Sequence, residues 1–257
     1  ALRDVSLHVP RGQTVGLLGR NGAGKTTALN LMTGYFPPTE GTVRISGRDM
    51  LADPRGCKRM IGYLPEKPPL YDEMTVTDYL QFVCRLREVV RKADRAHVDE
   101  ILELCALTEV RNRVIGHLSK GYRQRTGIAQ ALCGAPEILI LDEPTAPLSV
   151  AEVEILFRIV RKLRDEGVAI IFISHRLDEV FELTDRVSIL RDGEYITTLN
   201  TADTNRAELI RYMVGREMTA TFPPRNAQIG EVALELKNLT GNGVKNISFQ
   251  AHKGEVL

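Results

Sequence analysis

The chain has 257 residues with 34 Lys or Arg against 33 Asp or Glu, a formal charge of +1, and this near-balance gives no electrostatic argument for a nucleic-acid partner. Hydrophobic residues at 43% and charged residues at 26% describe an ordinary globular chain, long enough for one large domain or one domain plus a fragment. No apolar run approaches the roughly 18 residues of a membrane span, and the four cysteines form no C-x-x-C pair and read as reduced thiols.

Residues 4–9 and 13–18 read as strands joined by the turn Pro10-Arg11-Gly12, so the chain opens within a strand. Next comes Gly19-Arg20-Asn21-Gly22-Ala23-Gly24-Lys25-Thr26-Thr27, which matches G-x-x-x-x-G-K-[ST]. It follows the apolar run Val15-Gly16-Leu17-Leu18 and precedes the helical pattern Ala28–Met32, the strand–loop–helix context of a P-loop. Its glycines let the backbone N–H groups of Gly19, Asn21, Gly22, Ala23 and Gly24 turn inward around a phosphate chain. The helix start adds its positive dipole end near Thr26 and Thr27. Lys25 is expected to reach the β- and γ-phosphates of a bound nucleotide, and the Thr26 hydroxyl to bind Mg²⁺.

Gly34 suits a helix C-cap, and Thr42–Ser46 and Ile61–Leu64 read as further strands. From Thr77 to about Gly134 the apolar period becomes helical, with Tyr79, Leu80, Val83 and Leu86 on one face and Val98, Ile101, Leu102 and Cys105 on another. Continuous apolar runs at Ile138–Leu141 and Val168–Ile173 then suit strands buried on both faces of a parallel sheet. Between them Ser149 and Glu152 form a capping box before a helix whose face carries Val153, Leu156, Phe157, Val160 and Leu163. A hairpin turns at Asp192-Gly193, and a last helix runs from about Asn205 to Val214.

Residues 217–230 read as a linker. Residues 244–257 then repeat 2–15 at a constant offset of 242, pairing Ser6 with Ser248 and Gly12 with Gly254. If the repeat is real, a second nucleotide domain is expected to begin near residue 231, cut before its own P-loop.

Asp142 and Glu143 close the apolar run Ile138–Leu141, at the carboxyl end of a strand, where ligands bind in open α/β sheets. Asp142 is placed to hold Mg²⁺, and Glu143 to accept a proton from an attacking water. Ser119 is a good N-cap for the helix that leads to this strand, and a helix start suits a phosphate.

With these motifs the chain resembles the ATPase subunits of ABC transporters. Leu118-Ser119-Lys120-Gly121-Tyr122-Arg123-Gln124-Arg125 looks like that family's signature motif, with Lys120 and Tyr122 departing from its commonest form. The resemblance implies that Ser119 and Gly121 face the γ-phosphate held by an opposite domain. It places His175 as the switch histidine and Glu66 at the Q-loop position, where a side-chain oxygen serves Mg²⁺ or water. The loop Thr145–Ser149 lacks the aspartate that often ends the corresponding family loop, and residues 1–18 hold no adenine-stacking aromatic.

The resemblance is of two kinds. Residues 1 to about 143 look like ABC-2 exporter-type ATPases. From about Asp142 onward, Pro144–Ser149, Ile173–Phe181, Leu190–Gly193 and Met213–Arg216 look like the duplicated ATPases of monosaccharide importers. The stretch from Lys25 to Ser119 holds no sustained heptads and the linker is short, which argues against DNA-repair and ribosome-acting members.

The expected fold is α/β, a P-loop NTPase with a mostly parallel sheet, antiparallel N-terminal strands and an inserted helical subdomain at about 70–134. Residues 1–216 form the ATP-binding domain, 217–230 the linker and 231–257 the start of a second domain. The implied function is an ATPase powering transport, most plainly sugar import, with export as the alternative. The implied partners are transmembrane permease subunits and a second ATP-binding domain, at the cytoplasmic face of the membrane, with no nucleic acid.

Overall fold

The computed structural model describes residues 2–87, 91–215, 228–241 and 243–255. The chain divides into two units, Ala1–Arg216 and Glu217–Leu257. The first opens with strand β1 (Thr14–Leu18), buried along its whole length, the loop 19–24 and helix α1 (Lys25–Met32). A two-residue hairpin follows, β2 (Arg44–Ile45) with β3 (Arg48–Asp49). Then come α2 (Pro54–Arg59), whose first turn is capped by the Asp53 carboxylate accepting from Gly56 N, and β4 (Ile61–Leu64).

Helix α3 (Val76–Leu86) is capped by Thr75, α4 spans Arg91–Leu104, and α5 (Lys120–Leu132) is capped by Ser119. The sheet then resumes with β5 (Ile138–Asp142), α6 (Val150–Asp165), β6 (Ala169–Ile173), α7 (Leu177–Leu183), β7 (Arg186–Arg191), β8 (Glu194–Asn200) and α8 (Arg206–Val214).

The six-stranded sheet runs in the order β4-β5-β6-β1-β7-β8. All its pairs are parallel except β7 with β8. The order explains the continuous apolar runs, because β5, β6 and β1 are interior strands covered on both faces. It also brings the carboxyl ends of β4, β5, β6 and β1 to one edge. Leu64 pairs with Leu141 and Asp142 with Ile173, so the segments after each strand emerge side by side.

Besides a smaller cluster of Leu18, Leu177, Val180, Val187, Ile189 and Leu209, two larger apolar bodies flank this sheet. One gathers α3, α4 and α5 with α6, where Phe157 meets Phe172 edge-on at 6.4 Å. Burying Leu156, Phe157, Ile159, Val160 and Leu163 of α6 contributes about 1.5–3 kcal/mol each before ordering costs. Val153, expected on that face, is only half-buried. The other body packs α1, Met50 and Cys57 against Leu17, Ile140 and Ile171. The four cysteines are buried and form no disulfide.

Two expected strands differ. Residues 4–9 form no strand; Arg3 alone bridges to Glu194. Leu2, Val5, Leu7 and Val9 still pack half-buried on the second body. Alternation decides which side chains point inward, but a strand also needs a neighbour's N–H and C=O groups. The strand expected over Thr42–Ser46 shrinks to Arg44–Ile45 because Ser46 (φ 48°) and Gly47 (φ 83°) already turn the chain.

In the second unit β9 (Val232–Gly241) pairs antiparallel with β10 (Val244–His252). The segment β10 repeats residues 2–10 in sequence, and here a partner strand lies beside it. The expected linker 217–230 lies outside the described residues except for 228–230. No helix of the described residues is long and apolar enough to cross a membrane.

Candidate active site

The loop 19–24 takes its shape from three glycines. Gly22 and Gly24 have φ of 83° and 101°, a region costly for residues with a Cβ. Gly19 is fixed by space, because a Cβ there would stand 2.5 Å from the Leu190 carbonyl oxygen and 2.8 Å from Ala23 Cβ. No side chain caps α1 at Gly24, so its first N–H groups face the loop and suit an anion. Lys25 spans the loop from within, its Nζ donating to Gly19 O at 2.6 Å and Arg20 O at 3.1 Å. Burial lowers the Lys25 pKa, and the charges of Glu143 and Asp142 oppose that shift. Thr26 is exposed and Thr27 half-buried on the first turn of α1.

Asp142 ends β5 and points its charge at the same place. Burial, then Glu143 and Glu66, push its carboxyl up to about 6, against the pull of Lys25. Lys25, Glu66, Asp142 and Glu143 therefore share one electrostatic neighbourhood, although they come from three strand ends. Glu143 sits at φ 47°, a conformation that costs a branched or long side chain free energy and clusters at functional sites. Its N–H donates to Ile173 O at 3.0 Å, and its Oε2 lies 2.8 Å from Nδ1 of His175. The His175 side chain is 65% exposed and that of Glu143 27%, so the pair faces solvent at the sheet edge.

These groups test the site for Mg²⁺. Asp142 is a half-buried acid whose carboxyl is held above its ordinary pKa, with a hydroxyl expected from Thr26 and a second carboxylate nearby in Glu66. Among the described residues no group of three or more His, Cys, Asp or Glu could hold a metal by itself. One or two carboxylates and a hydroxyl suit Mg²⁺, which takes the rest of its shell from water and phosphate oxygens.

Ser119 and Gly121 lie at the start of α5, away from Lys25 in sequence and held by a different set of contacts. The Ser119 Oγ accepts from Tyr122 N at 3.3 Å. Gly121 is buried, and a Cβ on it would fall onto the Glu152 carboxylate.

Two polar residues to which the motifs assigned no role tie the site together. The buried Gln124 donates through Nε2 to Pro144 O at 3.0 Å, joining α5 to the loop after Glu143. The buried Glu179 accepts from Thr145 Oγ1 at 2.8 Å and Ser174 Oγ at 2.6 Å, and pairs with Arg176 at 2.7 Å. It thus ties the loop after Glu143 to the one carrying His175. Nothing in the local pattern separates Glu179 from Asp178; only the fold does. The turn at Asp192-Gly193 also supports the loop 19–24, Gly193 N donating to Ala23 O at 3.2 Å.

Residues 2–146 match the ABC transporter family. The chain is 37% identical over 262 residues to the ribose import ATP-binding protein RbsA of Streptococcus agalactiae serotype Ia, covering all of this chain and 53% of that protein. It is 36% identical to the putative ribose/galactose/methyl galactoside import ATP-binding protein 2 of Agrobacterium fabrum, covering all of this chain and 52% of that one. The chain thus spans about half the length of the curated relatives it matches. Among solved structures it resembles an ATP-binding subunit of an ABC transporter, with a TM-score of 0.74 and 27% identity over 84% of this chain and 88% of the other. It also resembles a bacterial ABC transporter cassette solved as a dimer, with a TM-score of 0.71 and 26% identity over 78% and 90%. The chain therefore belongs to the ABC transporter family, among its ATP-binding proteins.

Proposed function

We propose that the chain binds Mg-ATP on the loop Gly19–Thr27 and hydrolyses it as one half of a composite site. The observation that carries this reading is the convergence of Lys25, Asp142, Glu143 and His175, from three strand ends, on one sheet edge. The N–H groups of Gly19, Asn21, Gly22, Ala23 and Gly24 cradle the phosphates, and Lys25 takes the β- and γ-oxygens. Thr26, Asp142 and Glu66 hold Mg²⁺, which supplies charge neutralisation at the phosphates. Glu143 accepts a proton from water as its oxygen bonds to the γ-phosphorus and the bond to ADP breaks. His175 orients Glu143 and donates to the γ-phosphate. Ser119 and Gly121 of a second domain close over that phosphate.

The domain division supporting this reading is 1–216 for the first ATP-binding domain, with 70–134 as its helical subdomain. Residues 217–230 form a linker, and 231–257 begin a second domain at the 242-residue offset. Transmembrane permease subunits complete the assembly at the cytoplasmic face of the membrane, and sugar is the transported class. Import is favoured over export because importer relatives match along the whole chain, the N-terminal half included.

A nucleotide titration tests the phosphate loop. Lys25→Ala is expected to lose ATP binding; unchanged affinity contradicts the assignment.

A further inference from the structure

The Glu152 carboxylate is seated on Gly121, filling the space that any side chain at that position would need. The first turn of α5 carries no acid of its own, so Glu152 brings a negative charge to the partly positive start of that helix. It is held there from the far side. Glu152 Oε2 accepts from Ser149 N at 2.9 Å and Ser149 Oγ at 2.8 Å. These bonds, the Ser149 N–H first, lower its pKa.

A second seat lies close by. The Arg125 side chain is 8% exposed, and its Nη2 is 4.0 Å from Glu152 Oε1, too far for a hydrogen bond. Its Nη1 donates to Ala106 O at 2.8 Å, and its guanidinium lies 4.1 Å from the centre of the Tyr122 ring. Its Nε is buried with no hydrogen-bond partner among the described residues. An unsatisfied donor on a buried cation is costly, and the carboxylate able to satisfy it is the one covering Gly121.

We propose that Glu152 is a gating residue of the composite site. Its carboxylate covers the signature glycine, and the γ-phosphate of another domain's nucleotide must displace it, towards Arg125. The inference rests on the reading that Ser119 and Gly121 receive a phosphate in trans. Two negative groups cannot share one helix start without repulsion, so the closed arrangement forms only at an ATP level that overcomes the carboxylate. Because Glu152 also holds Ser149, its displacement frees the loop that follows Glu143.

The test is Glu152→Gln in the full chain, with a second copy serving as the partner domain. Glutamine at this position keeps the capping box, so α6 is retained, and a thermal melt within about 2 °C of the unsubstituted chain checks this. The half-saturating Mg-ATP concentration for hydrolysis is expected to fall about fivefold at low ionic strength, the effect of removing one like-charge contact, with kcat unchanged. Mg-ATP-driven self-association, followed by light scattering, is expected at correspondingly lower ATP. An unshifted or raised midpoint overturns the gate. Ser119→Arg separates the two levels. If it abolishes association while Glu152→Gln shifts nothing, the trans site stands and the gate falls. If Ser119→Arg associates and hydrolyses normally, or if no protein associates, both fall.

Discussion

Nδ1 of His175 lies 2.8 Å from Oε2 of Glu143, joining the residues that follow β6 and β5. Glu143 is held at φ 47° and its N–H is bonded to Ile173 O, so the backbone aims the carboxylate and the imidazole fixes its rotamer. His175→Ala is expected to lower kcat for ATP hydrolysis by at least about tenfold with ATP affinity little changed. Steady-state kinetics beside a nucleotide titration reads the split, and an unchanged kcat would show that the contact does not serve the reaction.

Asp142 carries a pH signature in the nucleotide-free, metal-free protein. Its folded pKa of about 6 lies above the ordinary 3.8, so the folded state binds the extra proton between those values. Its contribution to stability falls as pH rises through that window and stays low above about 6. A shift of this size is at most about 3 kcal/mol, screened by partial exposure to about 1 kcal/mol. Asp142→Asn is therefore expected to raise Tm at pH 7.5 by about 2–4 °C, the gain fading as pH falls to 4. A gain equal at both pH values would rule out ionisation as its cause.

Gly19 and Gly22 are glycines for different reasons. A Cβ on Gly19 meets the Leu190 backbone at 2.5 Å, whereas one on Gly22 meets nothing within 4 Å and is opposed only by a φ of 83°. Gly19→Ala is expected to cost about 1–3 kcal/mol in denaturant unfolding and more than tenfold in ATP affinity. Gly22→Ala is expected to cost about 1 kcal/mol. If Gly22→Ala is the more destabilising, the close approach of β7 to the loop is not what holds it.

The elements most legible in the sequence were those whose signal is local. The strand–loop–helix conformation around Gly19–Thr27 was readable because spacing, preceding strand and following helix all agree. The buried strands at Ile138 and Ala169 were readable because both faces are apolar, and α5 because Ser119 is a cap. Residues 4–9 misled because their alternation is real while the partner a strand requires is not in the pattern. The buried contacts of Glu179, Gln124 and Arg125 were not readable for a related reason. Each is a polar residue on a helix, ordinary by composition, whose burial and partners come from elements far away in sequence. The cover of Glu152 over Gly121 likewise joins two helices, and the capping box explained Glu152 locally before the fold gave it a second neighbour.

Single-turnover hydrolysis of Mg-ATP by Glu143→Gln beside the unsubstituted chain tests the central claim most directly. The substituted protein is expected to bind Mg-ATP and leave it intact, at least about a hundredfold slower, because the amide cannot take the proton of the attacking water. Hydrolysis at the unsubstituted rate would contradict the claim that these strand ends form an ATP-hydrolysing site with Glu143 as its base.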